Sequence, residues 1–244
     1  MWDRSLLPLL GANTASRSYW DCPAVVHLAA LVLLLTYALL PSPPATAAST
    51  RASERPVRIV ALGDSLTAGR GLPVNASFPA RLESALKARG VAVEIVNAGV
   101  SGDTASRGLA RLDWSVPEGT DAVIVELGAN DMLLGIDPKV TRNALAEIVR
   151  RLTGRGIVVL LAGMRAAPNL GADYGRAFEA IFSELATKHD LLLYPFFLDG
   201  VAADTKLNQP DGIHPTAAGV EEIVARILPT VEELIARVQH KRPT

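Results

Sequence analysis

The chain has 244 residues, and its 24 Lys and Arg nearly balance its 25 Asp and Glu, which gives a formal net charge of −1. This length is enough for one large α/β domain or two small ones. Charges of both signs are interspersed and there is no basic stripe with interleaved aromatic residues, which argues against a nucleic-acid partner.

The first fifty residues differ from the rest of the chain. Residues 23–40 form a nearly uncharged apolar stretch, and Pro41, Pro43 and Pro44 follow it. Small residues at 45–47 in an A-x-A pattern predict a secretory signal cleaved near Ala47. Because the stretch approaches the ~20 residues that span a bilayer, an anchor retained in the inner membrane is the alternative. Both interpretations place the chain from about residue 55 outside the cytoplasm, in the periplasm or secreted.

Cys22 is the only cysteine, and it lies at the start of the apolar stretch. The remainder of the chain therefore has no disulfide and no thiol chemistry. Its stability must come from packing, which a domain of this size can supply.

Strand-like and helix-like segments alternate from Arg58 onward. We predict a first strand over 57–62, a helix from a Ser77 cap to about Arg89, and a second strand over 91–95. A third strand over 122–127 is almost wholly apolar, as expected for a strand that is covered on both faces.

The second half continues this alternation. Asp137 and Pro138 predict a helix start, and the apolar period of 3.6 residues continues until Gly154 ends the helix. Strands are expected over 157–162 and 191–193, with a helix over about 174–188 between them. From Thr216 the pattern is that of an amphipathic helix, with a kink or break at Pro229.

Repeated strand–helix alternation predicts a parallel sheet with helices on both faces. We expect one such domain over 55–238, without internal repeats. Residues 1–50 are interpreted as the signal peptide or membrane anchor and a linker, and residues 239–244 as a flexible tail.

Four polar clusters fall just after predicted strands or near the end of the chain. They are Gly63-Asp64-Ser65, Ser101-Gly102-Asp103, residues 128–131, and Asp211 with His214. Each cluster alone is typical of turns and helix caps. Because ligands bind at the carboxyl edge of parallel sheets, we expect the four clusters to meet there and form an active site.

Ser65, His214 and Asp211 have the chemistry of a nucleophile, a base and an orienting carboxylate. An alcohol needs an adjacent base to attack a carbonyl, and imidazole titrates near neutral pH. Asp211 precedes His214 by three residues, so that a turn can bring its carboxylate to Nδ1 and fix the tautomer. The alternative is that Asp211 caps the following helix and His214 is structural.

Two other site types fit the serine motif poorly. The pattern Gly-x-Ser-x-Thr lacks the second glycine of the elbow found in α/β-hydrolases. The glycine-rich segment 63–71 has no Lys-[Ser/Thr] pair, which argues against a phosphate-binding P-loop.

The four clusters together resemble the sequence blocks of the SGNH, or GDSL, hydrolase family, and the resemblance covers about residues 57–238. Within that family the chain is most similar to the bacterial periplasmic thioesterase–lysophospholipase/arylesterase branch. The matching segments are GDSL at 63–66, NAGVSGDT at 97–104, GLARL at 108–112, VELGAND at 125–131, LLYPFF at 192–197 and DGIHP at 211–215.

This resemblance implies a flavodoxin-like three-layer α/β/α sandwich with a central five-stranded parallel sheet. It also implies an oxyanion hole made of the backbone N–H groups of Ser65 and Gly102 and the side-chain amide of Asn130. Asp64, Asp103 and Asp131 are then expected to shape turns and caps rather than to catalyse. Leu133, Leu170 and Ile213 are the candidate substrate-binding residues, in a pocket for a fatty acyl or aryl group.

The expected function is therefore that of a serine hydrolase that cleaves acyl esters or thioesters with no cofactor and no metal. We expect a monomer that acts on a small-molecule substrate. A transient contact with a membrane or lipid is compatible with this expectation. The alternatives are a carbohydrate or cell-wall acetylesterase, a non-catalytic binding domain and a metal-dependent phosphoesterase. Against the last, no H-x-H or H-E-x-x-H pattern accompanies the acidic residues.

Overall fold

The computed structural model describes residues 55–242, and its centre is a five-stranded parallel sheet in the order β2-β1-β3-β4-β5. The expected fold class is confirmed. The strands are β1 (Val57–Gly63), β2 (Val93–Gly99), β3 (Ala122–Glu126), β4 (Val158–Ala162) and β5 (Leu192–Tyr194).

Helices cover both faces of this sheet. They are α1 (Ser65–Ala68), α2 (Phe78–Ala88), α3 (Ala105–Ala110), α4 (Leu112–Ser115), α5 (Ala129–Leu133), α6 (Pro138–Gly154), α7 (Ala172–His189) and α8 (Ala217–Lys241). Helices α2 and α8 pack together, as do α6 and α7, and α3 packs against α6. Single turns of 3-10 helix lie at Val74–Ala76 and Pro168–Leu170.

The central strands are buried on both faces, as their apolar composition predicts. Every residue of β3 and β4 is buried, which is the burial expected of parallel strands between two helical layers. In the sheet register Gly63 lies beside both Gly99 and Glu126. The turns after β1, β2 and β3 therefore begin at the same level, and they bring three of the four polar clusters to one edge.

Two helix ends differ from the sequence prediction. Helix α2 follows Ser77 as expected, but the Ser77 hydroxyl donates to the carbonyl of Val74 at 2.8 Å and does not cap the helix. Helix α8 continues to Lys241, so residues 239–241, which we expected to begin a flexible tail, are helical.

We expected a kink or a break at Pro229; helix α8 is continuous through this residue, so the helix is not broken there. A proline inside a helix removes one hydrogen bond and costs about 3 kcal/mol. Leu228 and Val231, on either side of it, are buried in the core. Their burial offsets this cost and keeps the helix in one piece.

The first and last described residues are joined at the amino edge of the sheet. The Arg242 guanidinium donates to the Arg55 carbonyl at 2.9 Å and to Asp121 Oδ2 at 3.0 Å. Arg55 in turn donates to Asp121 Oδ1 at 2.7 Å. Asp121 precedes β3, so this cluster lies at the opposite edge from the polar turns.

No helix within residues 55–242 is long and apolar enough to cross a membrane. The apolar stretch 23–40, the predicted cleavage site near Ala47 and Cys22 all lie outside the described residues.

Candidate active site

The candidate nucleophile lies in a tight turn between β1 and α1. Asp64 occupies the N-cap position, and its Oδ1 accepts a hydrogen bond from the backbone N–H of Leu66 at 2.9 Å. Ser65 is the first residue of α1 and is buried. The local sequence thus places a hydroxyl at the carboxyl end of a buried strand, as predicted.

Ser65, His214 and Asp211 form a continuous chain of side-chain hydrogen bonds. The distance from Ser65 Oγ to His214 Nε2 is 2.9 Å, although 149 residues separate the two positions. The distance from His214 Nδ1 to Asp211 Oδ2 is 2.6 Å. With Nδ1 protonated toward the carboxylate, Nε2 is left free to accept the serine proton.

A short loop orients the carboxylate of Asp211. Its Oδ1 accepts hydrogen bonds from the backbone N–H groups of His214 and Ile213, each at 3.0 Å. These two bonds, followed by the bond from the His214 ring, hold the pKa of Asp211 well below its usual range. The carboxylate therefore stays ionised although 44% of its side chain is exposed.

Gln209 connects this loop to the nucleophile side of the site. Its side-chain amide donates to the carbonyl of Arg70 at 2.8 Å and to that of Pro215 at 2.9 Å. Its backbone N–H donates to the carbonyl of His214 at 2.7 Å. The sequence analysis missed this residue, because a glutamine whose partner lies 139 residues away carries no local pattern.

Two of the expected oxyanion-hole donors are backbone N–H groups at the same edge. Those of Ser65 and Gly102 donate no hydrogen bond to any residue within 55–242. Gly102 has φ +86°, a conformation that favours glycine. Both groups are therefore available to an incoming oxygen.

The third expected donor, the side-chain amide of Asn130, is already engaged. Its Nδ2 donates to Asp64 Oδ2 and to the backbone carbonyl of Asp103, both at 3.0 Å. Because both partners are acceptors, the nitrogen must face them, which fixes the orientation of the amide. An oxyanion would have to share one of these hydrogens or displace its present acceptor.

Asp64 lies in the interior and has no exposed surface. Burial raises its pKa to about 6, and the hydrogen bonds from Leu66 and Asn130 oppose that rise. The side chain holds the turn and the Asn130 amide, which is the structural placement expected from the sequence.

The other two acidic residues also hold loops in place. Asp103 accepts from the Arg111 guanidinium at 2.6 Å, and Arg111 also donates to the Gly63 carbonyl at 2.9 Å. Asp131 accepts from the backbone N–H of Ala105 at 2.8 Å. The sequence analysis did not single out Arg111, which connects the nucleophile turn to the loop that carries Gly102.

Glu126 is a further residue that the sequence analysis missed. It ends β3 and is buried, and its Oε2 accepts a hydrogen bond from the Thr67 hydroxyl at 2.8 Å. Burial, reinforced by the nearby charge of Asp64, raises the pKa of Glu126 well above its usual range. A signal was present in the sequence, because an acidic residue among the apolar residues of a central strand is unusual.

The candidate substrate-binding residues lie at the same edge of the sheet. Leu133 and Ile213 are 52% and 40% exposed, and Leu170 is half-buried in a 3-10 turn after β4. Exposed large apolar side chains beside a reactive group are typical of an acyl-binding surface. Within residues 55–242 no group of three or more His, Cys, Asp or Glu side chains is placed to hold a metal ion.

Comparisons with known proteins place this chain in a family. Residues 61–221 match the GDSL-like lipase/acylhydrolase family. The chain is 36% identical to Esterase TesA of Pseudomonas aeruginosa over 178 residues, which cover 72% of this chain and 89% of the relative. It is 38% identical to thioesterase 1/protease 1/lysophospholipase L1 of Escherichia coli strain K12 over 158 residues, covering 64% of this chain and 74% of the relative.

Solved structures agree with this assignment. AlinE4, an SGNH-hydrolase family esterase, is 47% identical with a TM-score of 0.63, and the match covers 74% of this chain and 97% of that one. The fold and the matches together define an α/β hydrolytic enzyme with a parallel sheet. The chain belongs to the GDSL-like lipase/acylhydrolase family, which confirms the predicted family membership.

Proposed function

We propose that the protein is a serine hydrolase that cleaves acyl esters or thioesters of fatty acyl, lysophospholipid or aryl type through a Ser65 acyl-enzyme. The observation that carries this proposal is the chain of hydrogen bonds from Ser65 Oγ through His214 to Asp211, at 2.9 and 2.6 Å. Such a chain activates a serine that would otherwise be a weak nucleophile.

In the first step, Ser65 Oγ attacks the acyl carbonyl carbon while His214 Nε2 accepts the hydroxyl proton. The imidazolium formed is stabilised by Asp211, which stays ionised because two backbone N–H groups hold its carboxylate. His214 then gives the proton to the leaving alcohol or thiol. In the second step, water repeats the sequence on the acyl-enzyme and releases the carboxylic acid.

The negative charge that develops on the carbonyl oxygen needs donors near Ser65. The backbone N–H groups of Ser65 and Gly102 supply two, since neither is used within the described residues. The Asn130 amide supplies the third by sharing a hydrogen that now binds Asp64 or Asp103. Donors fixed in advance in this way stabilise the transition state more than the ground state.

The acyl group is proposed to lie along Leu133, Leu170 and Ile213. Each buried methylene contributes only about 0.8 kcal/mol, so several chain lengths should be accepted. The printed names of the relatives include esterase, arylesterase, thioesterase and lysophospholipase, a range that is consistent with such tolerance.

The test of this proposal is the Ser65→Ala variant. Hydrolysis of p-nitrophenyl butyrate should fall by at least about 10⁴-fold, because the nucleophile is lost. The thermal midpoint should change little, since only one hydroxyl is removed. Ser183→Ala, on the exposed face of α7, is the matched control and should keep full activity.

Covalent labelling locates the nucleophile independently. A fluorophosphonate should modify the wild-type protein at Ser65, as read by peptide mapping, and should not label Ser65→Ala. Full activity in Ser65→Ala, or a label on another residue, would contradict the proposal.

We further propose that the enzyme works outside the cytoplasm, on the basis of the apolar stretch 23–40 and the A-x-A pattern at 45–47. Cleavage near Ala47 would leave the whole hydrolase domain intact, because the described fold begins at residue 55. N-terminal sequencing of the exported protein distinguishes cleavage from a retained anchor.

A further inference from the structure

One buried ionisable group has no part in the proposed mechanism. Glu126 is 1% exposed and stands at the end of β3, directly beside the end of β1 in the sheet register. Its Oε2 accepts from the Thr67 hydroxyl at 2.8 Å and from the backbone N–H of Asp64 at 3.4 Å. Asp64 and Thr67 flank Ser65, so one carboxyl oxygen contacts the turn on both sides of the nucleophile.

The surrounding backbone leaves space for this contact. A Cβ added at Gly63 would lie 2.0 Å from Thr67 Oγ1 and 2.7 Å from Glu126 Oε2. Any side chain at Gly63 would therefore break the hydrogen bond between Thr67 and Glu126. The absence of a side chain there lets the end of β1 pass directly over that bond.

We propose that Glu126 is a positioning residue, which fixes the turn from Gly63 to Thr67 and thereby aims Ser65 Oγ at His214. This inference rests on the proposed function, because it gives Glu126 a role only if Ser65 is the nucleophile. Glu126 acts through the turn, by accepting hydrogen bonds from Thr67 and Asp64.

The environment of Glu126 indicates whether its carboxyl group is ionised or protonated when it accepts these hydrogen bonds. Its Oε1 is buried without a hydrogen-bond partner, and no Lys, Arg or His of residues 55–242 forms an ion pair with it. An unpaired buried carboxylate costs far more than a neutral acid, and the Asp64 carboxyl lies nearby. Glutamine, which keeps the shape and an accepting oxygen, should therefore replace Glu126 well.

Three variants test the inference with p-nitrophenyl butyrate. Glu126→Leu should lower kcat by about 10²-fold with KM changed by less than about threefold, because displacement of the nucleophile affects the transition state most. Thr67→Val, which removes the donor from the other side, should lower kcat by about tenfold. Glu126→Gln should stay within about threefold of wild-type kcat, because it retains the acceptor.

Val159→Ala is the control, because it removes buried volume from β4 without touching the turn. It should lower the thermal midpoint as the Glu126→Leu substitution does, but it should leave kcat unchanged. This separates a loss of positioning from a general loss of stability. Ser65→Ala is assayed in parallel, and its residual activity decides the proposed function separately.

Unchanged kcat in folded Glu126→Leu would overturn the inference, and so would a loss in Glu126→Gln as large as that in Glu126→Leu. If Glu126→Leu fails to fold, Thr67→Val decides, since wild-type kcat in that variant also overturns it. If Ser65→Ala is inactive and these variants are fully active, positioning by Glu126 is wrong while the serine mechanism stands.

Discussion

Two aspartates beside the reactive groups show how differently one residue type behaves in two regions of this molecule. Asp64, in the nucleophile turn, has no exposed surface and a pKa raised to about 6 by burial. Asp211, in the loop before α8, is partly exposed and has a pKa far below its usual range. Asp64 accepts from one backbone N–H and from the Asn130 amide, and Asp211 accepts from two backbone N–H groups and contacts the His214 ring.

The difference shows that solvent access, together with two backbone donors, lowers the pKa of a carboxyl group, whereas burial raises it. Asp211 can therefore stabilise an imidazolium, whereas Asp64 is suited to holding a turn. Burial alone would have pointed to Asp64 and not to Asp211, the aspartate that we propose as the member of the triad. Substitutions in one region at a time separate the roles of the two aspartates.

The largest effect is expected from Asp211→Asn, in the loop before α8 that also carries His214. The amide would no longer favour the His214 tautomer that leaves Nε2 free, so kcat should fall by about 10³ to 10⁴-fold. Steady-state assays with p-nitrophenyl butyrate measure the loss. Asp204→Asn is the matched control, because Asp204 also accepts from a backbone N–H two residues ahead and is exposed. Equal activity in the two variants would remove Asp211 from the mechanism.

A smaller effect is expected from Asn130→Ala, in α5, whose amide donates to Asp64 in the turn before Ser65. Removal of one oxyanion donor should lower kcat by about 10² to 10³-fold and change KM little, because the bond strengthens only in the transition state. The exposed Asn143 of α6 provides the control substitution Asn143→Ala. A rise in KM at constant kcat would show that Asn130 binds substrate and does not stabilise the oxyanion.

The smallest effect is on stability, and Asp64 contributes to it together with Glu126, whose pKa is also raised. Its pKa of about 6 lies above the ordinary 3.8. Between these values the folded protein holds a proton that the unfolded chain has lost. The contribution of Asp64 to the free energy of unfolding should therefore decrease by up to about 3 kcal/mol as the pH rises from about 4 to about 7.

Urea unfolding of wild type and Asp64→Asn over this pH range measures that contribution. The decrease should be smaller in Asp64→Asn by the contribution of Asp64, while the part that comes from the raised pKa of Glu126 remains; Asp113→Asn, at an exposed site, should retain the full decrease. Asp211 does not interfere, because its lowered pKa gives stability that is lost only below about pH 4. Identical pH profiles for wild type and Asp64→Asn would contradict the prediction, because they would show that Asp64 is ionised in the folded protein over the whole of this pH range.

Much of the fold could be predicted because its signals are local. The apolar runs of β1, β3 and β4 and the Asp137 cap of α6 lie where hydrophobic period and cap chemistry placed them, and Asp137 does accept from the Lys139 N–H at 2.9 Å. Of the kink or break predicted at Pro229, the break does not occur, because packing of α8 on the core outweighs a local cost.

The candidate site divides in the same way. Asp211 and His214 are three residues apart, so that their contact could be inferred from spacing alone. Glu126, Arg111 and Gln209 each have a partner 48 to 139 residues away in the site, and a single sequence holds no spacing rule for these long-range contacts. No local pattern indicated that the Asn130 amide would donate to two acceptors.

The cluster of Arg242, Arg55 and Asp121 has a practical consequence for how this enzyme could be used. Both boundaries of the folded body lie together, on the side away from Ser65. Attachment to a solid support, or fusion to another protein, through either boundary would leave the entrance to the catalytic centre open. The same proximity allows a circular permutation in which a brief connector joins the old ends and new ones are cut in a surface loop.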